Sequence, residues 1–118
     1  YRTWANPRTL ESTTNYECYK GLYSSHNDKN FHEIAYSLNR QFGREGMYRD
    51  LTLYNFAENH DVNRVASTLK EAAHLYSLYL MLFTIPGAPS VYAGGEWGAQ
   101  GVKRGADDSP LRPAIPSP

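Results

Sequence analysis

The stretch Leu53-Tyr54-Asn55-Phe56-Ala57-Glu58-Asn59-His60-Asp61-Val62-Asn63-Arg64 constrains the chain more than any other, because an apolar run ends abruptly in a cluster of carboxylate, imidazole, amide and guanidinium groups. Thr52, Tyr54 and Phe56 alternate with Leu51, Leu53 and Ala57, so apolar groups fall on both faces of an extended segment. That is the pattern of a strand covered on both sides in a parallel sheet. In parallel α/β architectures the side chains along a strand pack the interior, and those just past its C-terminal end project into a solvent-accessible cup where chemistry is done. Asn59, His60 and Asp61 fall at that position.

The flanking sequence supplies further elements of the same kind. Asn15-Tyr16-Glu17-Cys18-Tyr19 is a short β-prone run and reads as a first strand. Asn30-Phe31-His32-Glu33 matches a capping box, after which Phe31, Ile34, Ala35, Leu38 and Phe42 share one helical face, with Gly43 placed to supply a left-handed C-terminal residue. Thr68-Leu69-Lys70-Glu71 is a second capping box opening a helix to Ile85. Its stripe of Leu69, Ala72, Ala73, Tyr76, Leu80 and Phe83 is widened by Leu75, Leu78, Tyr79 and Leu82 until the C-terminal half is apolar nearly all round, which demands burial. Pro86 and Gly87 stop it, and Pro89-Ser90-Val91-Tyr92-Ala93 reads as a third strand closed by Gly94-Gly95.

The expected order is therefore strand, helix, strand, helix, strand, with strand centres near Asn15, Tyr54 and Val91 and right-handed crossovers. Residues 1–13, broken by Pro7, and the Gly- and Pro-rich stretch from Glu96 to Pro118 read as irregular. Three strands cannot close a barrel and an all-round apolar helix needs partners. Residues 1–118 are thus expected to be one partial barrel domain, incomplete at both ends.

Charge and composition exclude more than they identify. Twelve basic and twelve acidic residues cancel, so no basic face points to nucleic acid or an anionic membrane. The longest apolar run, Leu78 to Ile85, is too short to span a bilayer. Cys18 is the single cysteine, which excludes an internal disulfide, joins no metal-ligand spacing and leaves the compartment open. Ten Tyr and two Trp are compatible with a sugar-binding cleft and equally with core packing.

Phe56-Ala57-Glu58-Asn59-His60-Asp61 with Arg64, followed by Ile85-Pro86-Gly87-Ala88-Pro89-Ser90-Val91-Tyr92-Ala93-Gly94-Gly95-Glu96-Trp97-Gly98, resembles two signature stretches of the α-amylase family of glycoside hydrolases. The tail Gly101-Val102-Lys103 with Asp107-Asp108-Ser109-Pro110-Leu111-Arg112-Pro113 is similar to the loop after the last barrel strand in neopullulanase- and cyclomaltodextrinase-like members. The resemblance implies a fragment of a (β/α)8 TIM barrel, approximately strands six to eight with their helices. It also implies a retaining enzyme, hydrolase or transglycosylase, acting on α-glucosidic linkages in starch-derived oligosaccharides. Of the three carboxylates such enzymes use, only the one after the seventh strand maps here, onto Asp61 as transition-state stabiliser. The nucleophile and the acid/base lie outside the chain, so residues 1–118 alone are expected to be inactive.

By the same resemblance His60 donates to a sugar hydroxyl beside Asp61 and Arg64 is a substrate-binding candidate. Each has a plainer alternative. Asp61 suits a helix cap, His60 a structural hydrogen bond, and Arg64 either reaches substrate or the nucleophile or pairs with a local acid. Glu58 and Asn59 orient the loop and Glu96 fixes the last one, while Tyr16, Tyr92 and Trp97 either stack on glucosyl rings or pack. Turns suffice to explain Gly94, Gly95 and Gly98. The expected partner is an α-glucan or maltooligosaccharide. No cofactor or metal ligand set is evident, although calcium binding occurs among family members. A non-catalytic barrel relative serving as a carbohydrate-binding or interaction scaffold is the competing hypothesis.

Overall fold

The computed structural model describes residues 1–6 and 8–114; the expected break at Pro7 and the closing Pro116-Ser117-Pro118 lie outside them. Along the chain run α1 (Tyr16–Asp28), α2 (His32–Phe42), β1 (Tyr54–Phe56), α3 (Val65–Thr68), α4 (His74–Thr84) and β2 (Ala88–Ser90), followed by 3-10 turns at Gly95–Trp97 and Ser109–Leu111. β1 and β2 pair in parallel, Tyr54 opposite Ala88 and Phe56 opposite Ser90. Thr14 adds one parallel bridge to Tyr54. The Tyr54 backbone bonds Thr13 and Asn15, whereas the Leu53 carbonyl on the opposite edge accepts from Ala88, so β1 is central among three successive parallel positions.

The expected first strand over residues 15–19 is instead the start of α1, and only Thr14 stays extended against β1. Asn15 is the cause. Its side-chain oxygen accepts the Cys18 backbone N–H at 3.3 Å, and Glu17 sits in the first turn, so a cap and a favourable dipole contact override the β-propensity of the tyrosines.

The helix expected after Asn30 is present, but its box is not. Asn30 accepts from the His32 N–H at 3.0 Å, and Glu33 turns away to Lys20 at 2.9 Å and Ser24 at 3.4 Å. Gly43 ends α2 in extended conformation, φ −60° and ψ −178°; the left-handed cap is Lys29 at the end of α1, φ 52°. The buried side of α2 is Ile34, Ser37 and Gln41, with Phe31 exposed.

The second capping box does not form either. Thr68 ends α3 with its hydroxyl donating to the Arg64 carbonyl at 3.1 Å, the Lys70 N–H goes to Asn27 Oδ1 at 2.8 Å, and α4 begins only at His74. On α4 the residues expected merely to widen the stripe are the buried ones, Leu78 and Leu82, whereas Tyr76 is 89%, Leu80 66% and Phe83 57% exposed. The third strand is shorter and earlier than Pro89–Ala93, with Pro89 opposite Asn55.

Leu22, Ile34, Ala57, Val65, Leu69, Leu78 and Leu82 form one apolar cluster that joins α1, α2 and α4 to the end of β1. Each fully buried leucine contributes about 1.5–3 kcal/mol. That packing holds the C-terminal end of β1 in a defined place. Among the described residues no helix is long and apolar enough to cross a membrane.

Candidate active site

β1 leaves the core through Ala57 and Glu58, both buried, and then turns on Asn59. The Asn59 side-chain oxygen accepts the Asp61 N–H at 2.9 Å and the Val62 N–H at 3.2 Å, while its amide nitrogen donates to the Tyr16 hydroxyl at 3.2 Å. A side chain that satisfies the backbone two residues on makes a tight turn. His60 and Asp61 stand out from it, side by side, with Nε2 of His60 3.3 Å from Oδ2 of Asp61 and side chains 54% and 53% exposed. Asp61 caps no helix here. Arg112 reaches within 3.9 Å of Asp61 Oδ1 and is held by Asp108 at 2.5 Å.

These groups gather at one end of the sheet. Tyr16 follows the Thr14 bridge, His60 and Asp61 follow β1, and Tyr92 follows β2, so parallel pairing carries all of them to the same strand-end surface. Tyr16 and Trp97 are exposed, and Tyr16 meets Phe56 edge-on with ring centres 4.9 Å apart.

Glu58 and Arg64 occupy the same loop but are sealed, each side chain 1% exposed. Arg64 Nε donates to Glu58 Oε2 at 3.0 Å and Nη2 to Oε1 at 2.9 Å, a bidentate pair. Its remaining donors go to the carbonyls of Ala93 at 2.8 Å and Leu111 at 3.3 Å, and the guanidinium lies 4.8 Å over the Tyr92 ring. Glu58 Oε2 also accepts the Val65 N–H at 2.6 Å. Of the uses open to Arg64, the structure shows pairing with a local acid; a sealed guanidinium has no face left for substrate, which corrects the substrate-binding expectation.

This strut accounts for two glycines. A side chain at Gly95 would collide with the Glu58 carboxylate and the Tyr79 hydroxyl, and Gly94 adopts φ +90° with Arg64 Nη2 3.2 Å from where a Cβ would stand. The Tyr79 hydroxyl beside them is buried without a partner among the described residues, and burial, then the Glu58 charge, pushes its pKa up. Burial also raises Tyr19 to about 12 and the Cys18 thiol to about 11, which leaves Cys18 an inert packing group. Glu96 accepts the Gly94 N–H at 3.0 Å and so fixes the last loop, as expected.

Beneath the site lies a buried amide network that the sequence reading did not find. Asn15 donates to Gln41 at 3.0 Å and to Asn55 at 2.9 Å, and Asn55 donates to the Pro86 carbonyl at 2.8 Å, all three side chains fully buried. The available signal was Asn55, a lone amide on the buried face of an apolar strand.

No group of three or more His, Cys, Asp or Glu among the described residues could hold an ion. Ser109 lowers the Asp107 pKa, first through its side chain and then through its backbone N–H, which donates to Asp107 at 2.9 Å, and Asp108 is taken by Arg112.

Parallel strands joined through helices, with their polar cluster at the strand C-termini, define a piece of an α/β barrel of the kind that carries its active site on that face. The family model for the alpha amylase catalytic domain matches residues 1–114. The chain belongs to the α-amylase family of glycoside hydrolases and is a fragment of its TIM-barrel catalytic domain. No curated protein matches it.

Proposed function

We propose that this segment supplies one carboxylate and one imidazole to the active site of a retaining enzyme that hydrolyses or transfers α-glucosidic linkages in maltooligosaccharides. The observation that carries this reading is the His60–Asp61 pair: 3.3 Å apart, half exposed, at the C-terminal end of a parallel strand, beside a loop whose other charged residues are buried and paired. In this role Asp61 accepts hydrogen bonds from the hydroxyls of the sugar being cleaved and favours its flattened, oxocarbenium-like form, while His60 donates to a neighbouring hydroxyl. Arg64 positions the loop through Glu58. The tail from Gly101 to Pro113 favours a neopullulanase-like member, and Tyr16 and Trp97 are the exposed rings available for stacking on sugar.

Retaining cleavage needs a nucleophile and an acid/base about 5–5.5 Å apart. Both belong to other segments of the barrel in this reading, so residues 1–118 alone should give no hydrolysis. The test is proton NMR of the first product released from maltotriose by the complete barrel. Initial appearance of the α-anomer supports the proposal, and initial β-anomer would replace it with an inverting mechanism. Saturable maltooligosaccharide binding with no cleavage would favour the scaffold hypothesis.

A further inference from the structure

The turn that carries His60 and Asp61 is held by one side chain. Asn59 Oδ1 accepts two backbone N–H groups, those of Asp61 and Val62, so the other end of the same amide is its N–H2, which donates to the Tyr16 hydroxyl at 3.2 Å. Tyr16 is itself pinned. It is the first residue of α1, next to Asn15, whose N–H donates to the Tyr54 carbonyl at 2.8 Å and whose side chain joins Gln41 and Asn55 in the buried amide network. The Tyr16 ring stands edge-on to Phe56 at 4.9 Å, and Phe56, the buried last residue of β1, is stacked on Tyr19 at 5.0 Å. The loop after β1 is fastened on either side of the turn, Glu58 by Arg64 and the Val65 N–H, and Asn63 by the Lys103 N–H at 2.8 Å. Between those fastenings the Asp61 backbone is held by Asn59, and Asn59 by Tyr16.

We infer, on the proposed reading that His60 and Asp61 work on substrate, that Tyr16 is a positioning residue for the reaction: its hydroxyl orients the Asn59 amide and, through it, the turn that aims Asp61. The last torsion of an asparagine side chain is broad and roughly two-fold. An amide bonded only to the turn it organises would therefore move with that turn. The bond to Tyr16 refers it instead to α1 and to the buried end of β1. Asp61 depends on this, because its side chain is about half exposed and its aim is set by its backbone. A misplacement of about 1 Å at a reacting centre can cost on the order of 10²-fold in rate. Loss of one neutral hydrogen bond allows a smaller drift, about three- to tenfold. The role lies in the hydroxyl and leaves the exposed ring free to stack on sugar, so phenylalanine separates the two.

The experiment compares Tyr16→Phe with wild type in the complete barrel, measuring kcat and KM on maltotriose together with urea unfolding. The change is repeated in an Asn59→Ser background, where a hydroxyl can still accept from the Asp61 N–H but no amide reaches Tyr16. The expected result is a kcat lowered by about three- to tenfold, a KM within about twofold of wild type and an unchanged unfolding midpoint. Tyr19→Phe, on the same helix, should have no effect, and Tyr16→Phe should cost nothing further once Asn59 is serine. Wild-type kcat in Tyr16→Phe would overturn the assignment. So would a raised KM at unchanged kcat, which places the hydroxyl on substrate, or a lowered unfolding midpoint, which makes it structural. Losses that multiply in the double variant would show Tyr16 acting independently of Asn59, and overturn it too. Should Asn59→Ser fail to fold, the division of the Tyr16→Phe effect between kcat and KM decides alone. Asp61→Asn measured alongside separates the two claims. Full turnover there overturns the reading of the site and the role of Tyr16 with it, whereas turnover lost in Asp61→Asn and kept in Tyr16→Phe overturns the role of Tyr16 alone.

Discussion

Glu58 and Asp61 are carboxylates of one short loop, and the fold treats them oppositely. Glu58 is 1% exposed, gripped by Arg64 through two hydrogen bonds and by the Val65 N–H; Asp61 is about half exposed, and among the described residues its carboxylate meets His60 and, more distantly, Arg112. The first is committed to structure and the second is available. The difference teaches where the loop keeps its rigidity. Because Arg64 also binds the carbonyls of Ala93 and Leu111, the ion pair ties the loop after β1 to the loop after β2 and to the tail. A half-exposed pair is thereby held on a buried, hydrogen-bonded base.

The largest expected effect lies on the buried side. Glu58→Gln in the complete barrel leaves the Arg64 charge sealed without a counter-charge, and stability should fall by about 3–5 kcal/mol. Urea denaturation followed by fluorescence measures it, and a loss below about 1 kcal/mol would mean that the pair is no strut. Next comes the amide network: Asn15→Ala removes the cap of α1 and strands Gln41 and Asn55, with an expected cost of about 1–3 kcal/mol. A neutral outcome would show that water replaces it freely.

On the exposed side the effects move from stability to turnover. His60→Ala should leave unfolding within about 0.5 kcal/mol of wild type and lower maltooligosaccharide turnover by roughly tenfold, a neutral donor contributing less than a charge. Wild-type turnover, or an unfolded variant, would make His60 structural. The smallest effect concerns Cys18, whose folded thiol titrates at about 11 against an ordinary 9.0. The folded state prefers the neutral thiol, so its contribution is complete below about pH 9, where the unfolded thiol is neutral too, and is lost as pH rises from 9 towards 11. Iodoacetamide at pH 8 should therefore label Cys18 only after unfolding; rapid labelling of the native protein would contradict its burial.

The strand at Tyr54, the helix at 32–42 and the position of His60 and Asp61 were legible because each rests on local pattern: an apolar run, a helical stripe, a polar cluster at a strand end. What the sequence hid was settled by contacts between distant residues. Asn15 looks like part of a β-prone run until its capping of Cys18 and its bonds to Gln41 and Asn55 are seen. Thr68 and Glu71 have the spacing of a capping box, yet Asn27 takes the Lys70 N–H and Lys29 takes Glu71, so the helix starts later. Arg64 shows the same limit inside the site, since nothing local distinguishes a guanidinium that faces substrate from one that Glu58, Ala93 and Leu111 enclose.

Whether Asp61 acts on substrate while Glu58 supports the loop is tested most directly by Asp61→Asn in the complete barrel, with maltooligosaccharide turnover and urea stability measured on the same preparation. The substitution keeps size and removes the charge that an oxocarbenium-like transition state requires. The expected result is a turnover loss of about 10²-fold or more, roughly 2.7 kcal/mol of transition-state stabilisation, with unfolding within about 0.5 kcal/mol of wild type. A variant that keeps more than about a tenth of wild-type turnover, or one whose stability falls as far as that of Glu58→Gln, would contradict the account.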